Sequence, residues 1–323
     1  MHSIPRHALA RVRRAARRAI RVALVRFGGL PYSEKGPDAL TPETAADVRS
    51  LWLRNLRSRV RLIDPAAHET VTLTSFGDRV STAWLAIESI GRGTALPGRI
   101  ILWLETPVPR LGRKLRRLQR RGLEILAAEP GLGPYTKFWP YLESHEPDGP
   151  LVTCDDDIVY PPWWLERLRG HAVAHENTVV AHRAHRIVMD EPQAFRPYRG
   201  WAPCLTNEPG FDHFATSVSG QLLPVGLQHE LRRRGRTFLQ HAPRADDIWI
   251  DFVAAEAGYP TAQVAVAPAH WAFVPGSQVV TLNSSNVWAD ANDSQLRDTH
   301  TPRSYARIWS DARNSTEGRA WPG

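Results

Sequence analysis

From Glu69 onward the sequence switches repeatedly between two periods, and that switching limits the possible fold more than any other feature. "ETVTLTSF" (69–76), "RIILWLE" (99–105), "LEILA" (123–127), "LVTC" (151–154) and "NTVVAHRAHRI" (177–187) read as short apolar strands. Between them lie segments with helical spacing: "AWLAIESI" within 78–91, the basic "RLGRKLRRLQRRG" (110–122), "GPYTKFWPYLESH" (133–145) and "PPWWLERLRGHAVAHE" (161–176). The last carries proline in its first turn, where a missing N–H costs nothing. Strands that alternate with helices predict an α/β fold with a mainly parallel sheet and helices on both faces.

The flanks read differently. Residues 31–66 hold Pro31, Gly36, Pro37, Pro42 and Pro65 around one helical piece, Glu43–Arg59, and form a helical connector. After residue 190 the rhythm breaks into a proline- and glycine-rich stretch, then a short strand around Ser217–Leu223 and a helix over Asp246–Ala257. The tail from about 275 is polar and weakly patterned, and no internal repeat is visible. The expected division is an arm (1–30), the connector (31–66), an α/β domain (67–275) and a tail packing on that domain (276–323).

Charge separates the arm from the rest. The chain carries a formal net charge of +8, and residues 1–30 contain eight arginines and no acid, so residues 31–323 are formally neutral. A basic nucleic-acid-binding domain is therefore not indicated. Within the arm, Leu9, Val12, Ala16, Ile20, Ala23 and Phe27 fall at helical spacing, with Gly28 and Gly29 available to end the helix. Residues 7–27 are expected to form a basic amphipathic helix, either solvated and packing on its own domain or lying on an anionic membrane surface; a mitochondrial presequence would look similar. No apolar run reaches the roughly 20 residues of a membrane span, and arginines interrupt any signal-like segment. The two cysteines, Cys154 and Cys204, predict no structural disulfide. A cytoplasmic location follows as the expectation, peripheral at the inner face of the plasma membrane.

The sharpest chemical signal is "LVTCDDDIVYPPWWLERL" (151–168), where a buried strand ends on three aspartates. Side chains alternate along an extended chain, so Asp155 and Asp157 point the same way and Asp156 the other. Two carboxylates on one side repel unless a cation or proton lies between them. They sit at the carboxyl end of a central strand, the edge where α/β sheets bind ligands. Hard oxygen donors suit Mg²⁺ or Mn²⁺ held by one or two carboxylates plus substrate phosphates. Capping of the next helix does not account for all three, because that helix starts at Pro161 or Pro162. An EF-hand fails for want of glycine at the sixth loop position and Glu at the twelfth. The stretch also matches the apolar strand and Asp-x-Asp of haloacid-dehalogenase-type phosphatases, with Asp155 as nucleophile, although that motif normally opens its domain.

Over about residues 69–295 the chain resembles bacterial GT-A-type glycosyltransferases related to family 2, which use nucleotide-diphospho-sugars. "VTCDDDIVYPPWWLERL" is similar to their DXD motif and following helix, and "VTLTSFGDRV" to the first strand and nucleotide-binding loop. "GPYTKFWP", "PRADDIWIDFVAAEAG" and "NDSQL" resemble the lysine-bearing, acceptor-side and C-terminal segments. The resemblance implies a GT-A-like, Rossmann-like sheet and metal-dependent inverting transfer, of hexosyltransferase type, to a glycan or lipid-linked acceptor in cell-surface polysaccharide synthesis. A UDP-sugar is the donor it points to. It implies that Thr74, Ser75 and Phe76 contact the nucleoside, and that Lys137 approaches the base or diphosphate. Asp155 and Asp156 would hold the ribose, and Asp155 and Asp157 the Mn²⁺ or Mg²⁺.

The second acid pair, Asp246-Asp247, has two readings. Asp246 is a good N-cap before Ile248, Trp249 and Phe252, with Asp247 favouring the helix dipole. By the resemblance, Asp247 matches the family's general base, with Asp246 beside it. The chain has Asp-Asp where the family has Glu-Asp, and it lacks the later Gln-x-x-Arg-Trp of processive synthases. His182 and His185, three apart on the expected strand, face opposite sides and do not form a shared metal site. His241 and His270 are acceptor-side candidates, and Trp201 a candidate for stacking on a sugar. A non-catalytic membrane-peripheral, glycan-binding protein, with both acid clusters serving as caps, is the remaining alternative.

Overall fold

The computed structural model describes residues 42–275, 277 and 291–316. The arm with its expected 7–27 helix, and the connector's first part (31–41), lie outside the described residues. The strands are β1 (Thr70–Thr74), β2 (Arg99–Glu105), β3 (Leu123–Ala128), β4 (Leu151–Thr153), β5 (Val179–Ala181), β6 (Ala184–Arg186), β7 (Met189–Glu191), β8 (Ala194–Phe195), β9 (His213–Ala215), β10 (Gln221–Leu223) and β11 (Thr261–Gln263). Seven form the central sheet in the order β11-β5-β10-β4-β1-β2-β3. It is parallel except at β10, which runs antiparallel to both β4 and β5. Pairs β6–β9 and β7–β8 stand apart as small antiparallel ribbons.

Alternation along the strands explains why both faces carry helices. Ile100, Leu102 and Leu104 of β2 enter one core, and Ile101 and Trp103 enter the other. Val152 and Val180 join the first, and Leu151, Val179 and Ala181 the second. A sheet apolar on both faces needs cover on both. The first core is closed by helices Pro42–Arg57, Trp84–Ile90, Arg113–Gln119 and Trp164–Ala174. The second is closed by Trp139–Ser144, Val225–Arg234, Asp246–Ala257 and the C-terminal helices Ala291–Thr299 and Pro302–Thr316. No helix among the described residues is long and apolar enough to cross a membrane.

Several segments depart from the sequence reading. The strand expected over 177–187 breaks after Ala181. His182 N–H still bonds to Gly220 O (3.2 Å), one step beyond the β5–β10 register, but Ala184 N–H turns to the Gln263 side chain (2.9 Å), and the chain leaves the sheet and re-pairs with β9. The weakly patterned tail holds two helices over 291–316; Tyr305, Ile308 and Ala312, at helical spacing, are buried. The prolines at 161 and 162 lie before the Trp164–Ala174 helix and not in its first turn. Cys154 and Cys204 are both free and buried.

One charged cluster binds the connector to the domain. Glu88 is fully buried and accepts hydrogen bonds from Arg121 Nη1 (2.8 Å) and Asn55 Nδ2 (3.1 Å), with Arg54 Nε at 3.0 Å. It joins helix Pro42–Arg57 to helix Trp84–Ile90 and to the turn before β3. Breaking a buried pair from one side leaves an uncompensated charge. Glu88→Ala should therefore lower the unfolding free energy by about 3–5 kcal/mol, measured by urea titration. A loss well under about 1 kcal/mol would show that Arg54 and Arg121 find water instead.

Candidate active site

The carboxyl edge of the sheet gathers most of the chain's acids of interest. β1 pairs with β4 through Thr72 and Thr153, so the residues after each strand emerge side by side. The Ser75 hydroxyl donates to Asp156 Oδ2, and Arg79, in the short helix Gly77–Ser81, donates to Asp156 Oδ1. The same guanidinium lies 3.0 Å from Asp157 Oδ2. Burial works hardest on Asp156 and raises its pKa against the opposing pull of Arg79. Burial also works against the charge on Arg79, but Asp156 and Asp157 outweigh it and hold the guanidinium above its ordinary range.

The loop carrying the aspartates is pinned on both sides. Tyr160 Oη accepts the Asp155 N–H (2.9 Å). Val159 N–H bonds to Ala272 O (2.9 Å) and Val274 N–H to Asp157 O (2.5 Å). After β4 the chain therefore enters a pinned turn, and the aspartates do not cap a helix.

Lys137 joins the two acid clusters. It ends the short helix Gly133–Lys137 and is buried, with Nζ 3.0 Å from Asp155 Oδ1, 3.1 Å from Asp246 Oδ2 and 2.7 Å from Ser217 Oγ. Burial disfavours its charge, yet Asp155, Asp246 and Asp247 together hold its pKa well above the ordinary lysine value. Asp246 opens helix Asp246–Ala257, but the cap residue is Ala245 and no side-chain cap bond forms. The capping reading of Asp246 is thus replaced by an ion pair. Asp247 Oδ1 accepts from Ser217 N–H (3.1 Å) and Gln221 Nε2 (3.3 Å), outside its own helix. Asp247 keeps partial solvent contact where Asp246 is buried. Burial, then the neighbouring Asp246, push the Asp247 carboxyl up to about 7. A turn further along, Asp251 is buried and its pKa is raised, by burial first and Asp247 second.

Gly220 shapes the turn that presents Ser217. Its φ is +92°, and a Cβ there would come within 2.5 Å of the Trp164 ring, whose Nε1 donates to Ser219 O (2.8 Å). Only glycine fits both demands.

Of the sequence candidates, Ser75, Lys137, Asp155, Asp156, Asp157, Asp246 and Asp247 meet at this edge. Thr74 donates its hydroxyl to Trp103 O (3.1 Å) within the sheet. Phe76 is 46% exposed, with Arg79 lying 5.4 Å from its ring centre, and so offers an open aromatic face. Trp201 is buried among Phe195, Tyr198 and Phe214, its Nε1 bonded to Arg196 O (3.0 Å), so it has no face for a sugar. His182 is buried with Nε2 on Trp164 O (2.9 Å), and His241 Nδ1 bonds to Asp298 O (2.8 Å). His270 packs on Phe273 at the surface. Arg79, Ser217, Gln221 and Tyr160 escaped the sequence reading. Arg79 alone had a local signal, a cation five residues past the end of β1. Among the described residues, no three metal-type side chains converge on one point.

No protein-family model matches the chain. No curated protein matches it either. Among solved structures it is similar to glucosyl-3-phosphoglycerate synthase from Mycobacterium tuberculosis, in complex with Mn²⁺ and UDP, at 18% identity and a TM-score of 0.28. That match covers 36% of this chain and 43% of the synthase, so the chain spans less than half of that enzyme's length. It is also similar to S. aureus TarS 1–349 (11% identity, 79% and 93% covered, TM-score 0.44). A third is the inositol-1-phosphate CTP transferase of T. maritima (12% identity, 71% and 97% covered, TM-score 0.39). A glucosyl-3-phosphoglycerate synthase and a CTP transferase thus stand side by side among the neighbours, and they assign no activity to this chain.

The raised Asp247 carboxyl has a signed consequence. Between the free-aspartate value of 3.8 and about 7, the folded chain holds a proton that the unfolded chain has released. The stability this proton confers is full below the lower value and is lost as pH rises through the upper one. Asp247→Asn should melt higher than the parent at about pH 8 and close to it at about pH 4. A melting-temperature difference that is the same at both pH values would overturn the raised pKa.

Proposed function

We propose that the chain is a metal-dependent glycosyltransferase that moves a sugar from a nucleotide-diphospho-sugar to an acceptor hydroxyl with inversion. The observation that carries this reading is the charge chain Asp155–Lys137–Asp246 across the carboxyl edge of the sheet. It places an acid cluster suited to a cation and diphosphate within one ammonium's reach of an acid pair suited to proton transfer. The edge is where ligands enter sheets of this kind.

The donor set fits a divalent cation in one mode. Without three converging protein ligands, a closed cage is absent among the described residues. Carboxylates at Asp155 and Asp157 suit Mg²⁺ or Mn²⁺, which complete their shells with water and substrate phosphates. When bound, the ion supplies Lewis-acid stabilisation of charge on the departing diphosphate. The chain's own groups do the rest. Phe76 offers an aromatic face for the base. Ser75 and Arg79 fix Asp156 for hydrogen bonding to the ribose. Lys137, its donors on Asp155, Asp246 and Ser217, fixes the donor-side and acceptor-side acids relative to each other. Asp247, held by Ser217 N–H and Gln221, accepts the acceptor's proton; a pKa near the working pH suits a general base. A UDP-sugar donor, a hexosyl group and a glycan or lipid-linked acceptor in surface polysaccharide synthesis at the cytoplasmic face are the finer parts of the proposal.

Titration calorimetry against nucleoside diphosphates, with Mn²⁺ and with EDTA, tests the donor side. UDP should bind much more weakly in EDTA, and Asp157→Ala should erase the difference. Equal affinity with and without metal would end the metal-dependent reading. On the acceptor side, Asp247→Asn should keep nucleotide affinity and lose about 10²–10⁴-fold in transfer rate. Near-normal transfer would move the base to Asp246.

A further inference from the structure

We propose that the segment 106–120, after β2, is a docking surface for an anionic lipid bilayer. The proposal rests on a charge imbalance and an apolar tip that occur together. Between Glu105 and Glu124 the sequence carries six arginines and one lysine and no acid. Helix Arg113–Gln119 turns Leu115 and Leu118 into the core, so its arginines are left on the other side. Arg110, Arg113, Arg116 and Arg120 are exposed and Arg117 is half-buried. None of the five pairs with a carboxylate among the described residues. Elsewhere Arg232 pairs with Glu146, Arg233 with Glu230, and Arg236 with Glu129 and Glu143. Arg49, Arg57, Arg59 and Arg61 also stand exposed without a carboxylate among the described residues, but with no acid-free helix and proline-flanked apolar tip beside them.

The charges flank a stiff apolar tip. Thr106 to Arg110 is exposed throughout, with Pro107 and Pro109 on either side of Val108, itself 41% exposed. Leu111 is half-buried beside it in the chain. A soluble polyanion would neutralise the arginines but give no return for covering Val108. A bilayer interface does both, taking the apolar tip below the headgroups and the guanidiniums at their level. Anionic lipid is therefore the occupant that the chemistry selects.

The position bears on the proposed activity. β1 and β2 are adjacent and parallel, with Thr74 opposite Trp103, so Ser75 and Thr106 leave the sheet at the same edge. Docking there would hold the carboxyl edge close to the lipid surface, where a lipid-linked acceptor would lie. That consequence depends on the transferase reading; the docking surface itself does not.

The test is flotation of the full chain with phosphatidylglycerol vesicles and with phosphatidylcholine vesicles. The parent should partition onto the former only, and added salt should release it. Each basic residue near an anionic surface is worth about a factor of five, so Arg110→Gln, Arg113→Gln and Arg116→Gln together should cost about 10²-fold in partitioning. Val108→Asp should also weaken it. An unfolding midpoint near the parent's separates lost docking from misfolding, and no donor or acceptor enters the measurement. Unchanged flotation of the triple variant would overturn the proposal and leave the arm 1–30 as the binding element. A Val108→Asp variant that floats like the parent, with equal binding to soluble polyphosphate, would overturn the bilayer as partner.

Discussion

A buried ammonium holds the carboxyl edge of this sheet together. Lys137 lies inside the sheet's carboxyl edge, where a charged amine without partners would cost several kcal/mol. It persists because three separate segments bring it partners. Asp155 comes from the end of β4, Asp246 from the first turn of its helix, and Ser217 from the turn before β10. Its own backbone is fixed in turn: Lys137 O accepts the Thr72 hydroxyl (2.5 Å), and that hydroxyl accepts Trp103 Nε1 (3.0 Å). Two residues earlier, Tyr135 donates to Ala242 O (2.5 Å) and stacks on Phe238, with ring centres 3.9 Å apart. The cation's position is thus set by both halves of the domain. Removing either carboxylate would leave the charge short of a partner, which makes the cluster a constraint on sequence.

Legibility in the sequence depended on which forces are local. Strand β2 and helix Asp246–Ala257 stand where the periodicity put them, because each is a dense apolar pattern with its own boundaries. The three aspartates were visible because charge at the end of a buried strand is locally anomalous. The break after Ala181 was not visible, since it depends on the distant Gln263 side chain taking the Ala184 main-chain donor and on pairing with β9. The helices at 291–316 were hidden by sparse apolar content; Leu296, Tyr305, Ile308 and Ala312 are their buried apolar residues. Trp201 looked free for a ligand because its loop looked irregular, whereas the aromatic cluster around it exists only in three dimensions. At the site, residue types near the strand ends could be named in advance. The partners could not: Arg79 with Asp156, and Lys137 with Asp246, are pairings that topology makes.

Those pairings leave an electrostatic remainder that bears on the chemistry. Five carboxylates, Asp155, Asp156, Asp157, Asp246 and Asp247, gather around two cations, Arg79 and Lys137. Protonation absorbs part of the excess at Asp247, whose carboxyl burial and then Asp246 push up to about 7. The rest is a net negative edge. A nucleoside diphosphate brought to it alone would meet repulsion at short range in a site partly shielded from water, where screening is weakest. Arg79 and Lys137 cannot remove that repulsion without leaving the aspartates they already neutralise. On the transferase reading proposed above, the arrangement favours a donor that arrives with its own positive charge. Burial first, and the neighbouring Asp246 second, keep Asp247 basic enough to take a proton: an exposed aspartate with matched charges would stay ionised down to ordinary acidic pH and be a poor base.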